Sequence, residues 1–369
     1  MRSRDQNGTP ELTVLYDTRD RHFGQNPYLT LLRDSARPDV GVLGFSWRRA
    51  LFGRYDLVHV HWPEYLLRPG RGWMRPCARA LMRLWLWRLR VHATPMVRTM
   101  HDLKPLVGLS AAEGQLLQQV VDQTTARIWL TDPSGLDGAP GMGGEDVVIP
   151  HGDYLPWVAE QHGGDVPVAD GQPLHDTFAL LCFGILRPYK RFEQVITATA
   201  GLSDEMHAHL RVLGSAPEPD YLVTLFEAAG RAPTSVEVVA RRASDAELSA
   251  ALAAANLVVV PYDDLYNSGV VLLALSARRP VALRDNTISR ALQAEFGKGW
   301  VILWSGDLDA CTLQGVIGEA QAPRTALDMP QSRSWGSVGQ QHRALYADVV
   351  SARAKAPAIT PSHRGLSST

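Results

Sequence analysis

Short apolar runs rich in β-branched side chains recur along the chain. Between them lie longer stretches in which apolar positions return every three or four residues. This alternation is the pattern of parallel α/β units. The first half supplies ELTVLYD (11–17), YDLVHVHW (55–62), PMVRTMHD (95–102), ARIWLTD (126–132) and EDVVIPHG (145–152). The second supplies FALLCFG (178–184), HLRVLG (209–214), VEVVAR (236–241), NLVVVPY (256–262) and RPVALRD (279–285). Most end in a polar residue or glycine. In open α/β sheets ligands bind beyond the carboxyl ends of the strands, so these end residues are where chemistry is sought.

Helical segments fill the gaps. Ser244 followed by Glu247 forms a capping box ahead of an apolar stripe at Leu248, Leu252 and Ala255. A second helix is expected from about 191 to 200, and a third, apolar nearly all round and hence buried, over 270–277. The stretch 156–176 is rich in Gly, Pro and Asp, lacks periodicity and reads as a linker. The expected α/β organisation is a Rossmann-like domain over 1–155, the linker over 156–176, and a second Rossmann-like domain over 177–334. A last helix is expected over about 335–353, and 354–369 is expected to form a flexible tail. Two doubly wound domains facing a cleft are the predicted architecture.

Composition agrees with this picture. A chain of 369 residues exceeds what one hydrophobic core usually serves. With 45% hydrophobic and 20% charged residues it is globular rather than disordered. A net charge of −1 argues against a general nucleic-acid binder. No apolar run approaches the ~18 residues of a membrane span, and the opening MRSRDQNGTP has no apolar core of a signal peptide. Cys77, Cys182 and Cys311 are odd in number, far apart and outside any zinc-type spacing. They read as free thiols in a reducing cytoplasm.

Two segments carry the clearest chemistry. FGILRPYKR (183–191) follows a strand and opens a helix. Gly184 permits a tight turn, and Arg187 and Lys190 project near a helix start, where cations and free N–H groups suit a phosphate. A plain βα turn with two solvated cations explains the segment equally well on spacing alone. The second segment is PYDDLYNSGVVLLALSARRPVAL (261–283). There Asn267, Ser268 and Gly269 open the buried helix, which could equally be an ordinary capped core helix. Two phosphate-competent helix starts in one α/β domain suit the diphosphate of a sugar nucleotide. Gly214 and Arg241, at the ends of neighbouring strands, and Tyr266, in the second loop, join the donor-side candidates.

With these segments the chain resembles the GT-B glycosyltransferases, in particular the group-1 type that uses nucleotide-diphospho-sugars. The resemblance covers two Rossmann-like domains, the glycine-to-lysine loop, the proline-ended strand with its polar loop, and the terminal helix, and it implies that the helix over about 335–353 packs back on the first domain. It implies that Lys190 and Arg187 bind the donor diphosphate. The family's arginine commonly follows the glycine directly, where this chain has Ile185. The family also carries two glutamates, eight positions apart, at what are here Tyr266 and Ala274. Both are absent, so ribose recognition must come from elsewhere, and Tyr266, Asn267 or Asp264 would meet the donor sugar. The strings NPY, HVHWPE and HGDY are similar to bacterial mannosyltransferases of polysaccharide and glycolipid assembly, which suggests GDP-mannose as co-substrate and no bound cofactor.

The first domain is then expected to bind the acceptor, a glycan or lipid-linked saccharide. Asn26 and Tyr28 lie in a loop after the first strand. His61, Trp62 and Glu64 end another strand, His101 and Asp102 a third, and His151 and Asp153 a fourth. Aromatic faces stack on sugar rings while carboxylates pair with hydroxyls. An inverting enzyme needs a general base, for which Asp102, Asp153 and Glu64, coupled to His101 or His151, are candidates. A retaining enzyme needs none. His59 and His61 share a strand face and could ligate a metal, a competing reading; GT-B enzymes generally need no bound metal.

Location is suggested by 68–90, which holds seven arginines with interleaved Trp73, Trp85 and Trp87. No acidic residue occurs between Glu64 and Asp102. Arg75, Arg79 and Arg83 share a helix face. The segment reads equally as a Rossmann helix with solvated arginines or as a surface for anionic lipid. The reading is therefore a cytoplasmic hexosyltransferase, peripheral at the inner membrane face. A catalytically silent glycosyltransferase-like scaffold subunit and a nucleotide-sugar epimerase of the same architecture are the alternatives.

Overall fold

The structure is a computed structural model. It describes residues 12–20, 26–69, 71–102, 108–134, 139, 141–164, 177–232, 235–263, 265, 266 and 268–355. The chain divides into two compact units. The first takes the described residues of Met1–Asp132, Gly141–Ile149 and Val338–Thr369, and the second those of Pro133–Pro140 and Pro150–Ser337.

The first unit holds β1 (Leu12–Tyr16), β2 (Val40–Leu43), β3 (Leu57–Val60), β4 (Met96–Met100), β5 (Ala126–Trp129) and β6 (Val147–Val148). They form one sheet in the order β2-β1-β3-β4-β5-β6, every pair parallel. The second unit holds β7 (Phe178–Phe183), β8 (Ala208–Leu213), β9 (Val236–Val239), β10 (Leu257–Val260), β11 (Val281–Arg284) and β12 (Val301–Trp304). Their order is β12-β11-β10-β7-β8-β9, again all parallel. Strand order reverses between β1 and β3 in the first sheet and between β7 and β10 in the second. Diverging connections leave a crevice at such a reversal, beyond the strands' carboxyl ends.

Each expected strand is present, and two others escaped the pattern. β2 and β12 are four-residue strands, each at a sheet edge. A glycine dilutes the first, and both are too short for period or length to separate them from loop. The capping box at Ser244 is formed in both directions, Glu247 N–H to Ser244 Oγ at 3.2 Å and Ser244 N–H to Glu247 Oε2 at 2.8 Å. The helix Gly269–Ser276 is buried over Val271–Ser276. The expected linker is corrected in part: Leu155–Gln161 is a helix that buries Trp157 and Val158. Its Gly and Pro punctuation hid a single short amphipathic turn pair. The remainder, 165–176, lies outside the described residues. The chain also passes between units at 149/150 and 337/338 rather than at 155 and 335.

Most of the last helix, Trp335–Lys355, belongs to the first unit from Val338 onward. A buried polar string ties it there. Tyr346 Oη lies 3.0 Å from Tyr16 Oη and 2.7 Å from His59 Nδ1, and His59 Nε2 lies 2.7 Å from Thr99 Oγ1. Burial holds His59 well below the usual histidine range, so it is a neutral link. Buried polar groups are tolerable only when paired, so this string specifies where the helix docks. Tyr346→Phe preserves the ring but strands two partners. It should lower unfolding free energy by about 1–3 kcal/mol, read from the urea midpoint, with far-UV circular dichroism unchanged.

Candidate active site

In the first unit the β1/β3 reversal gathers Asp17, His61 and Trp62. Asp17 directly follows β1. Its Oδ2 accepts the N–H groups of His61 at 3.0 Å and Trp62 at 2.8 Å. Burial raises its carboxyl to about 7, opposed by those two hydrogen bonds. His61 packs on His59 with ring centroids 4.2 Å apart and is pushed down to about 3 by burial. His101, one residue beyond β4, puts Nε2 3.0 Å from His61 Nδ1. It stacks on Trp62 at 4.0 Å with an interplanar angle of 21°. Tyr28 is buried edge-on to His101 at 5.4 Å. Glu64 is half-buried, and burial raises its pKa, with Asp102 adding a like charge nearby and Arg98 opposing.

The structure thus brings His61, Trp62, Glu64, His101, Asp102 and Tyr28 into one neighbourhood. Asn26 has a different task. Its Oδ1 accepts Tyr28 N–H at 3.1 Å and caps the helix Pro27–Ala36. His59 is engaged at both ring nitrogens by hydroxyls, which leaves the His59–His61 pair no joint role as metal ligands. Asp17 was missed by sequence reading. Its one signal was a carboxylate closing the first apolar run.

His151 and Asp153 were expected in the first domain; the structure places both in the second unit. β6 ends at Val148, and the chain beyond Pro150 is fixed by Arg333 and Trp335. Arg333 Nη1 donates to His151 O at 3.0 Å while its other two nitrogens grip Glu295 at 2.7 Å each. Trp335 Nε1 donates to Asp153 O at 2.7 Å, and a β-carbon at Gly152 would stand 2.6 Å from that indole. Burial lowers His151 to about 4 and raises Asp153.

The β7/β10 reversal of the second unit carries the two sequence segments. Gly184, just after β7, has φ +118°, a conformation open essentially to glycine alone. A β-carbon there would lie 3.4 Å from Lys190 Nζ, so the lysine folds back over the turn. Gly214, just after β8, meets the same turn: a β-carbon on it would fall 1.7 Å from Gly184 O. Lys190 lies over the Tyr262 ring at 5.1 Å. Burial, with the Arg187 charge beside it, lowers its pKa to about 8. Among the described residues Arg187 has one loose ion-pair partner, Glu218 at 3.8 Å.

The second loop meets the first here. Tyr262 Oη and Ser268 Oγ are 2.9 Å apart, and Ser268 is the N-cap of Gly269–Ser276. Ser268 N–H is spent on Leu265 O at 3.1 Å. The N–H groups of Gly269 and Val270 are the ones the helix start leaves without intrahelical partners. A β-carbon at Gly269 would sit 2.9 Å from Tyr154 Oη. Asp263 is held by Arg191 and Arg284, each at 3.2 Å. Tyr266 is buried, and Asn267 and Asp264 lie outside the described residues. Arg241 does not join this group by any recorded contact; Glu247 takes its guanidinium at 2.5 and 3.0 Å, which makes it part of a helix start.

No protein-family model matches the chain. Two proteins named GDP-mannose:glycolipid 4-beta-D-mannosyltransferase, from Xanthomonas campestris pv. campestris, are 34% identical to it over 343 and 342 residues. Each alignment covers 92% of this chain and 93% of the relative. The chain belongs to this family of glycosyltransferases. Solved structures agree on the fold. Anabaena HepE in complex with UDP superposes with a TM-score of 0.56 at 15% identity, over 93% of this chain and 98% of that one. The trehalose-6-phosphate synthase OtsA gives 0.56 at 12% identity, over 94% and 99%. The expected GT-B fold and glycosyltransferase class are therefore those of this chain.

For this glycosyltransferase the contact of Gly214 with Gly184 couples packing to the site. In Gly214→Ala the clash is with backbone and cannot be relieved by a rotamer. The variant should fold with a lower melting temperature and bind nucleotide about tenfold more weakly, about 1.4 kcal/mol, by titration calorimetry. Unaltered binding would detach Gly214 from the site.

Proposed function

We propose that this glycosyltransferase moves mannose from GDP-mannose to a sugar hydroxyl of a glycolipid, forming a β-linkage. The similarity to the two Xanthomonas enzymes across nearly the whole chain supports the donor and acceptor classes. The observation that carries the donor side is Lys190. Among the described residues it makes no ion pair, and it is desolvated over the Gly184 turn beside Arg187. Holding an uncompensated cation there costs free energy that a diphosphate returns on binding. Lys190 and Arg187 neutralise the departing GDP, and the Gly269 and Val270 N–H groups with Ser268 Oγ take phosphate oxygens.

GDP-mannose carries its sugar as an α-glycosyl phosphate, so a β product inverts the anomeric carbon. The acceptor hydroxyl then needs a base as it attacks. Asp102 takes that proton, being the exposed carboxylate beside the His101–Trp62 platform. Glu64, half-buried with a raised pKa, holds a second hydroxyl.

A glycolipid acceptor puts the reaction at a membrane. Among the described residues no helix is long and apolar enough to cross one. The helix Arg75–Val91 offers a surface contact instead. Its inner face buries Met82, Trp85, Leu86 and Leu89. Its outer face exposes Cys77, Ala80, Leu84, Trp87 and Val91 at alternating spacings of three and four, with exposed Trp73 in the turn before it. Exposed Arg83 and Arg90 line one side of that stripe. An apolar strip edged by arginines matches the headgroup–acyl boundary of an anionic bilayer. The sequence left Trp85 and Trp87 equivalent; packing makes one core and the other surface.

Two measurements test this reading. Mannose transfer from labelled GDP-mannose to a glycolipid acceptor should fall at least about a hundredfold in Lys190→Ala and in Asp102→Asn. In the wild type the lowered Lys190 pKa means its charge is complete below pH about 8 and lost above it. GDP affinity should therefore be flat below that pH and fall by up to about tenfold per unit above it, a slope absent in Lys190→Ala. Tight partner binding with no nucleotide bound would favour a silent subunit. Independently, Trp73→Ser/Trp87→Ser should cosediment with phosphatidylglycerol vesicles about tenfold less than the wild type, with unchanged GDP binding. Equal cosedimentation would remove this face as the docking surface.

A further inference from the structure

We infer that His61 is a positioning residue that holds His101, through a hydrogen bond from His61 Nδ1–H to His101 Nε2, in the tautomer protonated at Nδ1.

The two nitrogens lie 3.0 Å apart, and a bond between two ring nitrogens needs one donor and one acceptor. The direction is set by the far nitrogen of His61. Its Nε2 is buried and has no hydrogen-bond partner among the described residues. Were the proton on that atom, the protein would bury an unsatisfied N–H donor that the other tautomer avoids. With the proton on Nδ1, the buried atom is a bare lone pair and the donor is used.

His342 supplies an internal control. Its Nδ1 lies 2.8 Å from Val338 O, a carbonyl that can only accept, so the proton must be on Nδ1. Its Nε2 is likewise buried without a partner. The same unit thus already keeps one histidine with a bare, buried Nε2, in a ring 5.9 Å from His59, which in turn packs on His61. Burial keeps His61 and His342 uncharged, which leaves the tautomer as the open variable.

The geometry of the donor is fixed from two sides. Asp17 pins the backbone of His61 and Trp62. Tyr28 meets the His61 ring edge-on at 6.2 Å, and Trp62 stacks on His101. The consequence for the reaction is specific. His101 Nε2 has its lone pair occupied and does not accept the acceptor proton, which leaves that task to a carboxylate. His101 keeps its stacked face on Trp62, with the ring proton on Nδ1. In general the bond made by one ring nitrogen decides the state of the other.

The test is a ¹⁵N-histidine correlation spectrum of the whole protein, with His101 assigned by His101→Gln. The expected wild-type pattern has His101 Nδ1 in the protonated range and Nε2 in the bare range. His61→Leu removes the donor and should move the His101 Nε2 shift out of the range of the wild type and give about tenfold lower kcat with little change in KM. His61→Asn offers an amide N–H near the former Nδ1 and should restore both. Thermal melts of the two variants identify simple misfolding. A wild-type His101 protonated at Nε2, or a His61→Leu variant with the His101 spectrum and kcat unchanged, overturns the inference. The kinetic arm rests on the transferase reading and the spectroscopic arm does not, so the two failures are distinguishable.

Discussion

Parallel strands impose one constraint from which the sites follow. Within each sheet every strand runs the same way, so every carboxyl end opens at the same end of its sheet. Where strand order reverses, the outgoing loops diverge and leave backbone and side chains uncovered. The first unit spends its reversal on Asp17, His61 and Trp62, and the second on the Gly184 turn and the Ser268 helix start. Each cluster brings together segments that leave different strand ends. Each needs only a strand end with the appropriate residue one or two positions beyond it.

The two crevices solve opposite electrostatic problems. In the second unit cations are brought together and left short of counter-charge. Lys190 is desolvated beside Arg187, while Arg191 and Arg284 share Asp263. In the first unit buried groups are kept neutral: His59, His61 and His342 are all depressed by burial, and Asp17 is raised towards neutrality. The proposed donor role suits the first of these environments, and the proposed role in holding sugar hydroxyls suits the second. The missing family glutamates fit the same logic. Ala274 is fully buried in an apolar helix and Tyr266 is buried in the loop before it, so both positions have been absorbed into packing.

Much of the donor site was legible because it is local. Gly184, Arg187 and Lys190 lie within one turn, and Ser268–Gly269 mark a helix start by residue type alone. The capping pair Ser244–Glu247 is written within four residues and forms as read. The acceptor side was legible only as a set of polar residues at strand ends. Which of them are paired, pinned or buried depends on contacts between strands. Asn26 proved to be a helix cap, Arg241 a partner of Glu247, and His151 and Asp153 members of the other unit.

By itself the sequence determined the α/β alternation, the strand ends that carry chemistry and the family resemblance, because each is encoded in short-range periodicity or spacing. Tertiary structure decided the rest. It made Trp85 core and Trp87 surface, turned His59 into a neutral link, and gave Asp17 the backbone of His61 and Trp62 to hold. These outcomes hang on partners as remote as Tyr16 and Tyr346, 330 positions apart. Burial and the pairing of polar groups are properties of what folds against a residue, and no local pattern records them.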